Sequence, residues 1–217
     1  MNIAIILAGQ FRGNNEMVKL HKENVGDYDT YISCLNKYVD EWKDSDWNPK
    51  QIYEVPMVDF KDTLWAKHRN SPADESGFWQ FWNLKYVLKN VPQYDFYIKS
   101  RNDLVIESKL NIDFNTLDDN TYYYSENTFN GIWEHINDQF WIGSKNVVDV
   151  ISNFVDEFYT HPNSSGVPNA NEHMLKSWLN THNIQTKSFA NFIYTKNHNG
   201  ITQCSGEINK FFLEYGK

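Results

Sequence analysis

Residues 3–8, IAIILA, form an unbroken apolar run, the pattern of a strand covered on both faces within a parallel sheet. Gly9 and Gly13 bracket a turn that carries Gln10, Phe11 and Arg12. Asn14 or Asn15 can cap the helix that follows, which holds Met17, Val18 and Leu20. Residues 28–35 read as a second strand and 51–55 as a shorter third, so the first third of the chain is β-α-β in one parallel sheet. Pro56, Pro72 and Gly77 punctuate residues 56–77, which read as a long surface connection through Lys67, His68, Arg69 and Asn70. From 78 to 91 apolar side chains recur at helical spacing until Pro92 ends the run.

The second half alternates in the same way. YDFYIKS at 94–100 reads as a strand that gives way to Arg101-Asn102-Asp103, after which Leu104-Val105-Ile106 is extended again. Strands are expected at 121–125 (TYYYS), 139–143 (QFWIG, ending in Ser144) and 184–189. Amphipathic helices are expected over 146–158 and 171–180, the latter capped by Asn169 or Asn171 with Glu172 in its first turn. Residues 162–170 read as a loop, 197–200 as a glycine-containing turn, and 207–215 as a final helix. The fold class this predicts is α/β, a mostly parallel central sheet flanked by helices.

The totals narrow the function. With 217 residues the chain fits one domain. Its net charge of -8 argues against a duplex nucleic-acid binder, which needs a basic footprint. A nucleotide ligand needs only a local cation, so that class stays open. Aromatic residues reach 16%. They read either as the codon bias of an AT-rich genome or as a surface that stacks on sugar and base rings. The two cysteines, Cys34 and Cys204, form no CxxC and no disulfide framework, which points to a reducing, cytoplasmic setting. Cys34, inside a strand, reads as a small packed hydrophobe. The first apolar run is too short for a secretion signal and follows no basic segment; Asn163-Ser164-Ser165 therefore reads as a chance sequon. No stretch approaches the ~20 apolar residues of a membrane helix.

Two segments can carry chemistry. The turn with Gly9, Gln10, Arg12 and Gly13 offers backbone amides and one guanidinium at the carboxyl end of a strand, where open α/β sheets bind ligands. It is neither a P-loop nor a dinucleotide fingerprint, and an ordinary tight turn would look the same. In the 94–106 segment, Asp103 lies between two apolar runs and needs a charged partner. That partner is either a divalent cation bridging a diphosphate or Arg101, which shares Asp103's face if the strand continues.

GQFRG after the first strand, SRNDL after the middle one and the later DQFWIGS together resemble the GT-A glycosyltransferase fold. More narrowly, they are similar to those of small glycosyltransferase-like proteins of bacterial surface-polysaccharide loci and of large viruses and phages. The resemblance implies a single domain over 1–217, with a nucleotide-binding half (1–107) and an acceptor-side half (108–217). It further implies a nucleotide-diphosphate sugar as donor, a glycan or other hydroxyl acceptor, and Mn²⁺ or Mg²⁺ as cofactor. GT-A enzymes carry Asp-x-Asp after the middle strand; this chain has Arg101-Asn102-Asp103, so only Asp103 carries over and Arg101 could contact phosphate itself. His198, followed by Asn199-Gly200, resembles the further metal ligand of some members; a solvated turn histidine is the alternative. Glu172, at a helix start, matches the position of the base in inverting members, although an acid there also complements the helix dipole by about 0.3–1 kcal/mol. Asp138 is the second acidic candidate. Trp79, Gln80, Trp133 and Trp141 either line a sugar site or pack in the core. A related nucleotidyltransferase and a non-catalytic carbohydrate-binding module are the competing readings. The former expects a more basic, glycine-richer first loop than GQFRG.

If the GQFRG turn holds the donor, Arg12→Ala weakens nucleotide binding while the melting temperature stays nearly unchanged. Equal nucleotide affinity in the two proteins, measured by calorimetry, would remove Arg12 from the site.

Overall fold

A computed structural model describes residues 1–68, 72–106, 109–125, 136, 138–161, 171–189, 193–197 and 200–205. The chain opens with β1 (Ile3–Ala8), α1 (Asn15–Val25), β2 (Asp29–Leu35), the short α2 (Val39–Lys43) and β3 (Gln51–Val55). Next come α3 (Leu64–His68), the long α4 (Pro72–Asn90), β4 (Phe96–Lys99), β5 (Leu104–Ile106) and β6 (Thr121–Ser125). It continues through β7 (Trp141–Ser144), α5 (Lys145–Glu157), α6 (Asn171–Thr181), β8 (Gln185–Phe189), β9 (Ile193–Asn197) and β10 (Gly200–Ser205). Seven strands form the central sheet in the order β3-β2-β1-β4-β7-β6-β8. β1 to β4 run parallel, β7 is antiparallel to both of its neighbours, and β6 and β8 are parallel. The α/β class with a mostly parallel sheet is thus the fold observed.

The alternation along the strands explains why the sequence shows continuous apolar runs. On β1, Ala4 and Ile6 face a core formed with α4, α5 and α6, whereas Ile5 and Leu7 face a second core beside α1. Tyr97 against Phe96 and Ile98 on β4, and Trp141 against Ile142 on β7, divide in the same way. A sheet covered on both faces has no polar side to alternate with. Helix α5 buries Val147, Val148, Ile151, Phe154 and Val155, a stripe at helical spacing, and Ser144 caps it by accepting from the Asn146 amide. Asn14, not Asn15, caps α1, its Oδ1 accepting from the Met17 amide at 3.0 Å.

Residues 56–77 differ from the surface connection expected. They contain a 3₁₀ turn at Phe60–Asp62, α3, and the start of α4 at Pro72, six residues ahead of the first residue of the expected helix. Proline suits the first turn of a helix, where its missing N–H has no partner to lose. Phe60 and Trp65 are buried against Phe78, which anchors the segment to α4. The β9–β10 hairpin is a second departure; it pairs with β5 in a separate three-stranded sheet. The final helix expected at 207–215 lies outside the described residues, as do the 162–170 loop and its sequon. Cys34 is buried, and burial first, then the charges of Glu54 and Glu41, push its thiol up to about 12, so it packs as an inert hydrophobe. No helix among the described residues is long and apolar enough to cross a membrane.

His21 sets an acid limit. Its Nε2 lies 2.8 Å from Ser100 Oγ and its ring meets the edge of Trp47 at 4.8 Å. Burial, and then the charge of Lys22, push its pKa from 6.5 down to about 3. The unfolded chain takes up a proton near the ordinary value and the native chain does not. Stability is therefore lost as pH falls from 6.5 towards 3, at up to roughly 1.4 kcal/mol per pH unit. His21→Gln should flatten this slope in urea unfolding between about pH 7 and 4.5. The same acid dependence in both proteins would assign the limit to other groups.

Candidate functional site

The sheet order places a ligand crevice before any side chain is considered. From β1 the chain moves outward to β2 and β3, then returns through α4 to β4 on the other side of β1. The loops leaving the carboxyl ends of β1 and β4 therefore diverge, and a crevice opens between them. Gly9, at φ 97°, turns the chain out of β1 in a conformation L residues rarely adopt. Its amide donates to Ser33 O at 2.8 Å and its carbonyl accepts from Trp42 Nε1 at 2.9 Å. Phe11 packs edge-on against Trp42 at 5.2 Å. Asn102 then ties the two loops together: its Nδ2 donates to Gln10 O at 2.8 Å and its Oδ1 accepts from the Arg12 amide at 3.2 Å. Gly13 is needed for this approach, since a Cβ there would lie 2.2 Å from the Asn102 carbonyl oxygen.

The crevice widens into a cleft of about 800 Å³, within the size range of cofactor and substrate sites. Gly9, Gln10 and Arg12 line it beside Lys99, Arg101, Asn102 and Asp103. Lys37 and Tyr38 after β2, the stretch from Met57 to Lys61 after β3, and Glu75, Ser76, Trp79, Gln80 and Asn83 of α4 complete the wall. Five of the lining side chains are basic and three acidic, a surplus of two positive charges on a protein of net charge -8. A field of this sign concentrates anions. Buried Asn83 donates from Nδ2 to Trp79 O at 2.6 Å, whereas its Oδ1 meets no donor among the described residues. Such an acceptor suits a ligand hydroxyl or N–H.

Charge is densest at the end of β4. Arg101 grips Asp103 with both arms, Nε to Oδ1 at 2.8 Å and Nη2 to Oδ2 at 2.6 Å. Asp103 is 5% exposed. Burial disfavours the Arg101 cation, but the hydrogen bonds and charge of Asp103 outweigh that, and its pKa lies above the ordinary value. Lys99, 2% exposed, donates from Nζ to the backbone carbonyls of Asp138 and, at 3.2 Å, of Gln139. Burial pushes its ammonium down to about 8 against the pull of the Asp138 charge. Asp138 is 6% exposed, and its Oδ2 accepts from Gln80 Nε2 at 2.7 Å.

The described residues do not fit a resident divalent cation. Both oxygens of Asp103 already accept from the Arg101 cation, the position two residues before it is that arginine in place of an acid, and its neighbour Asn102 bonds the β1 turn. Among the described residues no three His, Cys, Asp or Glu side chains converge. His198 lies outside the described residues.

Of the residues singled out in the sequence, Gly9, Gln10, Arg12, Arg101 and Asp103 come together in the cleft. Asp138 joins its far end through Gln80. Glu172 is half-buried in the first turn of α6; its neighbour Asn171 abuts Gly77 of α4, one residue beyond the cleft-lining Ser76. Burial, and then the charges of Asp138, Tyr124 and Glu172, raise the hydroxyl pKa of the buried Tyr122. Trp79 and Gln80 line the cleft, Trp141 is fully buried core, and Trp133 lies outside the described residues. Asn102, Lys99 and Asn83 were missed. The Arg-Asn-Asp step signalled a polar site, but nothing in it marked the asparagine as a tie to a loop ninety residues away.

No protein-family model matches the chain, and no curated protein sequence matches it. Among solved structures it is similar to the glycosyltransferase GlyE of Streptococcus pneumoniae TIGR4, at 11% identity and TM-score 0.53, over 87% of this chain and 46% of that one. The apo form of the same enzyme gives 10% identity and TM-score 0.53, over 86% and 44%. A glycosyltransferase involved in glycosylation of the major capsid of PBCV-1 gives 12% identity and TM-score 0.49, over 88% and 83%. The chain thus spans less than half the length of GlyE. The likeness is one of fold: the sheet flanked by helices that the sequence implied is similar to that of a known glycosyltransferase.

The Asn102 tie generates two expected outcomes. Asn102→Ala removes both bonds to the β1 turn and should cost about 1–3 kcal/mol in urea unfolding. Gly13→Ala, which forces the loops apart, should cost about as much as an overpacked core, roughly 1–3 kcal/mol. Wild-type stability in both variants would show that the loops are held by other contacts.

Proposed function

We propose that the chain transfers a sugar from a nucleotide-diphosphate sugar to an acceptor hydroxyl, using the cleft between β1 and β4. The observation that carries this is the surplus of positive charge gathered at the switch point of an otherwise acidic α/β protein. The Gln10 and Phe11 amides of the GQFRG turn and the Arg12 guanidinium bind the nucleotide side. Arg101 faces the diphosphate, and Trp79 with Asn83 contacts the sugar. The first half of the chain, 1–107, then serves the donor, and 108–217 supplies the acceptor side.

In the reaction the acceptor oxygen forms a bond to the anomeric carbon as the bond from that carbon to the β-phosphate oxygen breaks. The electron pair leaves with the nucleoside diphosphate, whose charge the cationic lining stabilises. The hydroxyl proton passes to a carboxylate. Asp138 is the better placed base, because its carboxylate is bonded to the cleft residue Gln80; Glu172, at the start of α6, is the alternative.

The test is release of nucleoside diphosphate from a panel of uridine, guanosine and adenosine diphosphate sugars in the presence of simple glycan acceptors. Asp138→Asn should lower turnover by about 10²–10⁴-fold and leave donor affinity intact. The same loss in Glu172→Gln alone would move the role to Glu172. A protein that neither binds nor consumes any of these donors is not a glycosyltransferase of this kind.

A further inference from the structure

We propose that the cleft neutralises a diphosphate with its own guanidinium and ammonium groups in place of a divalent cation, with Asp103 holding Arg101 for that purpose. This rests on the nucleotide-sugar reading above and goes beyond it by replacing the metal that the resemblance implies. A metal-bridged diphosphate needs carboxylate oxygens free to coordinate. The one acid at the end of β4 already accepts from Arg101 at both oxygens, at 2.8 and 2.6 Å, so a cation there would have to share or displace the guanidinium. The ion pair is also well shielded, with Asp103 only 5% exposed, so replacing the guanidinium by a hydrated cation would leave Arg101 to find a new partner in a half-buried place.

The same pair is suited to binding phosphate. A guanidinium has five N–H donors in a rigid fork, and Asp103 engages only Nε and one hydrogen of Nη2. The remaining donors belong to a side chain that lines the cleft and keeps 29% of its surface exposed. Asp103 thus fixes the plane of the fork, and a planar, fixed fork loses little freedom when it takes up two phosphate oxygens. Arg12, Lys37, Lys61 and Lys99 line the same cleft. Against Asp59, Glu75, Asp103 and the adjoining Asp138 they and Arg101 leave a net positive charge for a bound diphosphate to meet.

Calorimetric titration of the wild-type chain with uridine, guanosine and adenosine diphosphates and with inorganic pyrophosphate, in EDTA and in MnCl₂, tests this. The expected result is binding in EDTA, with the affinity for at least one nucleoside diphosphate changed less than about threefold by Mn²⁺, and weakening with added salt. Arg101→Gln combined with Asp103→Asn removes the pair without leaving a lone buried charge. It should weaken binding in EDTA by at least about tenfold, the loss of charge-assisted hydrogen bonds. Asp103→Asn alone leaves the Arg101 fork without its brace and should weaken metal-free affinity, by less than the double change does. Binding that requires Mn²⁺, or metal-free binding that neither Asp103→Asn nor the double change weakens, overturns the inference and leaves the nucleotide-sugar reading intact. Absence of binding by any of the four probes in either condition overturns both.

Discussion

The site depends on the way Asn102 joins two loops that the sheet order drives apart. β1 and β4 are neighbours, yet the chain leaves them in different directions, and the backbone groups at their carboxyl ends would otherwise face only solvent. Asn102 turns both ends of its amide to the opposite loop, one bond given to Gln10 O and one taken from the Arg12 amide. That fixes the height at which Gln10, Arg12, Arg101 and Asp103 meet the cleft. Gly13 makes the contact sterically possible, and Trp42 holds the other shoulder of the turn at Gly9.

Behind this clamp the charges are arranged in two layers. Lys99 and Asp138 are buried and spend much of their bonding on the protein, Lys99 on two backbone carbonyls and Asp138 on Gln80. Arg101 stands between that layer and the open cleft, supported by Asp103 and partly exposed. A buried ion pair is weak evidence for stability, because desolvation offsets most of its attraction. Its value here is geometric: it fixes a cation at the mouth of the switch-point crevice. The aromatic wealth of the sequence serves a different end. Among the described residues most of the large rings are core, as with Trp65 among Phe78, Phe81, Phe154 and Tyr159, and Trp79 is among the few that reach the cleft.

By itself the sequence determined the sheet and its helices, because a strand buried on both faces and a helix buried on one leave periodicities that need no partner to be read. β1, β2, β3 and the capped α1 are legible in this way, and so is the polar interruption Arg101-Asn102-Asp103. The segment before α4 was not, since Pro72 and Gly77 read as breaks until Phe60 and Trp65 are seen packed on Phe78. Nor was β9–β10, whose pairing with β5 spans some ninety residues. Tertiary structure alone decided what the polar step does. Whether Asp103 meets a cation or an arginine, whether Trp141 meets a sugar or the core, and which loop Asn102 holds are questions of distance between segments remote in sequence. Spacing along a chain carries no record of those distances; they arise when hydrophobic burial on both faces of the sheet brings β1 and β4 side by side.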